Sequence, residues 1–236
     1  FKDLLLPLVS TIAFMFIFYM VIPVFEKMFD IVTDITLLEL SDLNSPLLKR
    51  LSVEAPGTFH HSLLMGNLAE VAAETIDANP LLARVGCYYH DIGKMERPEY
   101  FVENQMGAMN RHESLQPNMS ALIIENHVKL GLRLADKHKL PTAVKKFIPE
   151  HHGTTRMEYF YHKAKEMANG KDIDDSEFRY PGPKPSSQET AIAMLVDSIE
   201  AAVRSLKNPS AGKIRQLVSE LINNKFAQGE LENCNL

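Results

Sequence analysis

The sequence predicts an all-α protein: a membrane-crossing helix, a linker, and then a helical bundle. Three observations predict it. Apolar residues recur at helical spacing along most of the 236-residue chain. Several of these runs open on a capping residue followed by proline, as at Ser45-Pro46 and Asn79-Pro80. No stretch alternates polar and apolar residues as a strand would, no Asn-Gly pair sits between two strand-like runs, and nothing repeats.

Leu4 to Phe25 carries no charge over 22 residues. As a helix it spans about 33 Å, enough for a hydrocarbon core of roughly 30 Å. Pro7 and Pro23 fall near its ends, and Tyr19 suits an interface. Residues 1–27 are therefore expected to be a transmembrane helix and residues 28–57 linker helices, with the helical domain over 58–236. Met28, Ile31, Val32, Ile35, Leu38 and Leu40 suit one helix joining membrane to domain, which could also pair two copies of the chain. Ser45-Pro46 opens a short helix through Leu51, and Ala55-Pro56-Gly57 reads as a turn.

Thr58 is placed to cap a helix running to about Ile76, with His61 in its first turn and Leu64, Leu68, Val71 and Ala72 as its apolar face. The helix from Asn79-Pro80 buries Leu81, Leu82 and Val85 and ends at His90-Asp91. Gly93 then suits a left-handed helix terminus, and Lys94 leaves it as a free cation. The stretch from Lys94 to Pro117 has no periodicity, and its Tyr100, Phe101, Asn104 and Arg111 could wall a cleft.

A helix from Met119 to Leu134 carries Leu122, Ile123 and His127. Pro141 opens the next, with Val144, Phe147 and Ile148. Adjacent helical side chains diverge by about 100°. His151 and His152 therefore reach one region only if the backbone bends, and Pro149 and Gly153 give it reason to. Arg156 to Ala168 reads as helix and Asn169 to Pro185 as loop. Ser186-Ser187-Gln188-Glu189 reads as a capping box. It starts a helix to Leu206 with Ile192, Leu195, Val196, Ile199, Val203 and Leu206 on one face. Asp197 lies opposite, between Ala193 and Ala201, which suggests a face that something approaches closely. A last helix carries Ile214, Leu217, Val218, Leu221 and Ile222.

A formal charge of −5 excludes a general nucleic-acid surface. Two cysteines, Cys87 and Cys234, are too few for a disulfide framework. No HExxH, P-loop or GxSxG motif offers another chemistry. What remains is a set of nitrogen and oxygen donors without thiolates: His61, His90, Asp91, His127, His151, His152 and Asp197. Such donors suit Fe or Mn better than structural Zn, and one Asp carboxylate can bridge two ions. His60, His112, His138 and His162 are left over as surface or supporting residues.

The order His, His-Asp, His, His-His, Asp resembles the HD-domain metal-dependent phosphohydrolases. The flanking text His60-His61-Ser62-Leu63, Tyr89 to Lys94, His151 to Thr154, Phe178 to Pro185 and Leu195 to Ala201 is similar to the seven-transmembrane-HD family of cyclic di-AMP phosphodiesterases. The resemblance covers residues 40 to 236. It implies an HD-domain helical bundle behind the last of seven membrane spans, on the cytoplasmic side of the cell membrane, in a protein longer than this chain at both ends. It implies two divalent metal ions. One would be held by His61, His90, Asp91 and Asp197 and the other by His127, His151 and His152, with Asp91 shared. Asp91 and Lys94 would act in catalysis, and the cyclic dinucleotide would be opened to linear pApA. The related HD-GYP enzymes, which cut cyclic di-GMP, carry Gly-Tyr-Pro after the His-His pair; here Gly153-Thr154-Thr155 follows. Cyclic di-GMP, another nucleotide, or a sensor role without hydrolysis are the alternatives. The preference for adenine rests on the resemblance alone.

Overall fold

A computed structural model describes residues 2–105, 110–168, 172–206 and 209–234. Among them eleven α-helices follow one another: α1 Lys2–Phe29, α2 Asp34–Leu40, α3 Pro46–Glu54, α4 Pro56–Thr75, α5 Pro80–Tyr89, α6 Pro117–Lys137, α7 Thr142–Lys145, α8 Phe147–Glu150, α9 Glu158–Met167, α10 Gln188–Ser205 and α11 Ala211–Ala227. Short 3-10 turns fill the described parts of the connection between α5 and α6. No strand is present among the described residues, as the sequence predicts.

Helix α1 stands uncovered, and its segment Leu5–Phe29 is long and apolar enough to cross a membrane. The expected single linker helix is broken. Asp30 adopts a left-handed φ of 51° and ends α1. Thr33 then caps α2, while the Glu26 carboxylate accepts from the Thr33 amide at 2.8 Å and the Thr33 hydroxyl at 2.7 Å. The break shifts the helical phase, so Leu37 is buried instead of Ile35 and Leu38. Leu37 joins Leu47, Leu48 and Leu51 of α3 in the main core. Tyr89 closes the join, its hydroxyl donating to the Leu40 carbonyl at 2.9 Å.

Helix α5 runs through the middle of the domain. Val85 and Tyr89 face one core cluster, with Val128, Val144 and Ile148. Ala83 and Cys87 face the other, with Met65, Ala69, Phe147, Ile192 and Ala193. A helix covered on both sides delivers whatever follows it into the interior, and His90-Asp91 follows.

Two expectations about α4 are corrected. It starts at Pro56, and Thr58 is not its cap. The Thr58 amide donates instead to Asn104 Oδ1 at 3.1 Å, so the α5–α6 connection satisfies an otherwise orphaned helix-end donor. The face expected inside is also outside: Leu64 is 48 %, Leu68 45 % and Val71 62 % exposed. Thr58, His61, Ser62, Met65, Gly66, Ala69 and Ala73 are buried in their place. Small side chains let α5 come close, and of the inward polar residues His61 belongs to the site.

In α10 the capping box uses Ser187 and Thr190, not Ser186 and Glu189. Ser186 instead donates its amide and hydroxyl to the buried Glu150 carboxylate. The N-terminal half of α10 is buried nearly all round, which the one-faced apolar stripe did not anticipate. What approaches Ala193 closely is the α4–α5 pair. Beyond α11 the chain turns at Gly229, and the buried Glu230 carboxylate accepts from the Thr154 amide at 2.9 Å. The last described residues thus fasten the loop that follows His151-His152.

Candidate metal centre

The centre begins where α5 ends. His90 closes the helix in right-handed geometry, and Asp91 leads into the 3-10 turn Ile92–Glu96. Gly93 is not the left-handed terminus expected, since it is absent from the positive-φ residues. Its role is contact. A Cβ there would strike the His127 carbonyl and lie 2.5 Å from the Gly131 amide nitrogen. The missing side chain lets the α6 backbone lie directly on the turn, and this brings His127 to Asp91.

The other donors arrive from α4, from the turn after α8 and from α10. His151 and His152 follow Pro149 into a turn closed by Gly153 at φ 55°. The bend predicted from the sequence is there, and the two rings sit 3.8 Å apart between centroids. Asp91 lies at the middle. Its Oδ1 is 3.3 Å from His127 Nε2 and 3.7 Å from His151 Nε2. Its Oδ2 is 3.1 Å from His90 Nε2 and 4.0 Å from His61 Nε2. Asp197 Oδ1 lies 3.1 Å from His61 Nε2, and its Oδ2 4.0 Å from His152 Nδ1. All seven residues singled out from the sequence are therefore brought together. They fall into two groups, His61 with His90 and Asp197, and Asp91 with His127, His151 and His152. Within each group the donor atoms lie within 4.8 Å of one another.

Three rings are fixed by their own helices. Nδ1 of His90 lies 2.6 Å from the Cys87 carbonyl, that of His127 2.5 Å from Ile124, and that of His151 2.8 Å from Phe147. An Nδ1–H donated to a carbonyl leaves Nε2 with its lone pair. Those three Nε2 atoms and Asp91 Oδ1 are buried without a hydrogen-bond partner. Buried polar atoms are nearly always satisfied, so four orphaned acceptors gathered in these two neighbouring groups fit bound cations.

The charges agree. Burial alone would raise the Asp91 carboxyl, but His90 and Lys94 hold it well below the usual carboxylate range. Asp197 is likewise depressed against burial, chiefly by His61. Burial drives His151 down to about 3, reinforced by His90. His127 and His152 are lowered for the same reason, so these rings are neutral and able to ligate. His61 goes the other way: burial lowers it, but the Asp197 and Glu200 carboxylates lift it to about 9.

Lys94 is not the free cation expected. Its ammonium sits 2.6 Å from Asp91 Oδ2 and 2.9 Å from Glu103 Oε1, and it is largely covered. It borders a cleft of about 320 Å³ beside the cluster, walled also by Phe101, His112, His127, His152 and Tyr180. Tyr100 and Phe101 of the irregular connection do line this cleft, whereas Asn104 is spent on Thr58. Tyr180 stacks on His152 with centroids 4.0 Å apart. His112, grouped with the leftover histidines, is buried at 5 % exposure with its Nε2 2.9 Å from the Tyr100 carbonyl; His60, His138 and His162 are exposed. Glu103, Tyr180 and Glu200 also border the cluster, at Lys94, His152 and His61, and are not among the residues the sequence singles out. Tyr180 and Glu200 lie inside the quoted motifs, which was the available signal.

Fold and site together define an HD-domain protein. Residues 58–202 match the HD domain family, and the chain belongs to it. It is 46 % identical over 233 residues to the cyclic-di-AMP phosphodiesterase PgpH of Bacillus subtilis (strain 168), covering 99 % of this chain and 32 % of that protein. It is 45 % identical over 216 residues to PgpH of Listeria monocytogenes serotype 1/2a (strain 10403S), covering 92 % of this chain and 30 % of that one. The chain thus spans about a third of these relatives' length. Among solved structures, the L. monocytogenes PgpH HD domain in complex with cyclic-di-AMP superposes with a TM-score of 0.79 at 45 % identity, covering 83 % of this chain and 91 % of that chain.

Proposed function

We propose that this chain hydrolyses cyclic di-AMP to linear pApA at a two-metal centre. The observation that carries the reading is the Asp91 carboxylate, whose two oxygens face two separate sets of histidines beside a cleft. The names of the relatives supply the substrate. His61, His90, Asp91 and Asp197 would hold one ion, and His127, His151 and His152 the other, with Asp91 shared. An all-nitrogen-and-oxygen donor set favours Fe or Mn. When bound, such ions supply Lewis acidity toward a phosphodiester and a water ionised near neutral pH.

The chain's own groups orient and balance that chemistry. Lys94, held protonated by Asp91 and Glu103, offsets negative charge at the edge of the cleft. Tyr180 fixes the His152 ring by stacking. Phe101 covers the His127 edge and excludes water there. In this reading α1 crosses the cell membrane and holds the domain on the cytoplasmic side. Protection of the domain from protease added outside sealed cells supports that side, and digestion contradicts it.

The reading is tested by offering cyclic di-AMP and cyclic di-GMP separately to Mn²⁺-loaded protein. Conversion of cyclic di-AMP to pApA, at least about tenfold faster than cyclic di-GMP, is expected; that ratio is a barrier difference of about 1.4 kcal/mol. Faster cutting of cyclic di-GMP contradicts the substrate. No cutting of either, with metal bound, turns the role toward a sensor or another nucleotide.

A pH dependence follows from His61. Its folded-state value of about 9 lies above the ordinary 6.5. In metal-free protein this stabilisation is fully present below pH 6.5 and lost as pH rises through about 9. A metal ion must displace the same proton, so its affinity rises by about tenfold per pH unit over that window. The melting temperatures of metal-loaded and chelator-treated protein should therefore diverge from pH 6.5 to 9; convergence contradicts the assignment of His61 as a ligand.

A further inference from the structure

His90, His127 and His151 each rest Nδ1 on a carbonyl of their own helical turn. His61 does not. Its Nδ1 points away from the cluster and lies 3.0 Å from Glu200 Oε2, a carboxylate from a different helix. Both atoms are buried, and neither forms an aligned hydrogen bond with any described residue, so they meet each other as a 3.0 Å ion-pair contact. Glu200 stands three residues beyond Asp197 on α10, so both project from neighbouring turns of one face. That face therefore presents His61 with a carboxylate on each ring nitrogen: Asp197 at Nε2, 3.1 Å away, and Glu200 at Nδ1.

We propose that Glu200 is a positioning residue that orients His61 and tunes one of the two ions, the one held with His90 and Asp197. The proposal rests on the reading of the cluster as a metal centre. A carboxylate behind a ligating imidazole fixes its tautomer and raises its basicity, while a backbone carbonyl fixes orientation with less charge. The two ion positions are thus unlike. One set contains a carboxylate-backed histidine, and the other relies on carbonyl-backed rings and the Tyr180 stack. The competing account is that Glu200 serves Arg204, 3.6 Å away on the next turn. That arginine is 41 % exposed, and exposed pairs of this spacing contribute little. It also gives no reason for the Glu200 carboxylate, only 11 % exposed, to face His61.

The test uses the full chain in detergent, with Mn²⁺ alone as probe. Binding is read by competition with a chelator and by counting ions per chain, and the melting temperature of metal-free protein is recorded alongside. For Glu200→Ala the expected result is a loss of about 10- to 100-fold in affinity for one ion, with the other unchanged. Glu200→Gln keeps the shape without the charge and should fall between. Arg204→Ala should bind both ions as the original does. Wild-type affinity for both ions in Glu200→Ala overturns the proposal. So does equal weakening of both ions with a lowered melting temperature, which marks a purely structural role. If Glu200→Ala does not fold, Glu200→Gln decides by the same two criteria. Absence of Mn²⁺ binding in the unmutated chain is a different failure, of the metal-centre reading itself.

Discussion

Asp91→Ala is expected to abolish hydrolysis of cyclic di-AMP and to empty both ion positions. Asp91 approaches both histidine sets closely, at 3.1 Å from His90 and 3.3 Å from His127, whereas Asp197 reaches the second set only at 4.0 Å from His152. The Asp91 Oδ1 is also one of the orphaned buried acceptors. Removing Asp91 leaves the buried His90, His127 and His151 imidazoles without an anion and frees Lys94 from the shorter of its two ion pairs. Loss of a single preorganised electrostatic partner at an active site costs about 10²- to 10³-fold in kcat. With Asp91 shared between two ions, as proposed, a loss beyond about 10³-fold is expected, together with fewer than one ion bound per chain. Lys94→Met is the informative companion. It removes the ammonium and no ligand, so metal content should survive while kcat falls. Turnover near the original in Asp91→Ala refutes the ligand assignment.

Gly93→Ala is expected to damage the fold and the centre together. The new methyl meets backbone on two sides, the His127 carbonyl and the Gly131 amide, and neither can rotate away. Either α6 withdraws from the turn or the turn opens, and both pull His127 from Asp91. Overpacking against immovable neighbours costs about 3 kcal/mol. For a domain of this size that lowers the melting temperature by roughly 6–12 °C. Gly131→Ala provides the contrast, because its methyl chiefly meets a side-chain methyl, Ile148 Cγ2 at 2.9 Å, and the Gly93 backbone nitrogen is 3.4 Å away. Thermal unfolding and metal counts of the two variants should rank Gly93→Ala as clearly the worse. Equal, mild effects would mean that the close approach is not what holds the site.

The seven clustered residues were legible because each type of side chain has few other reasons to recur in that order. The bend at His151-His152 was legible because proline and glycine act locally on the backbone. Burial of α4 was not. Its most apolar residues, Leu64, Leu68 and Val71, face outward, while His61, Ser62 and Gly66 face in. A hydrophobic stripe predicts the inner face only when the inner face is greasy, and a helix that turns a histidine into a crowded polar cluster breaks that rule. The linker failed for a different reason, since one left-handed residue, Asp30, reset the helical phase. Gly93 was correctly marked as special but for the wrong cause, because its conformation can be guessed locally and its neighbour on α6 cannot. Tyr180 and Glu200 lie inside the motifs, but the rings they meet are distant in sequence, and Glu103 reaches Lys94 only through the irregular connection, so no local pattern shows what they touch.

Whether Asp91 stands between two ions is tested most directly by an anomalous-difference map from crystals grown with Mn²⁺. Two peaks per chain are predicted, one among His61, His90 and Asp197 and one among His127, His151 and His152, with an Asp91 oxygen toward each. A single peak, or a pair in which Asp91 touches only one ion, would contradict it.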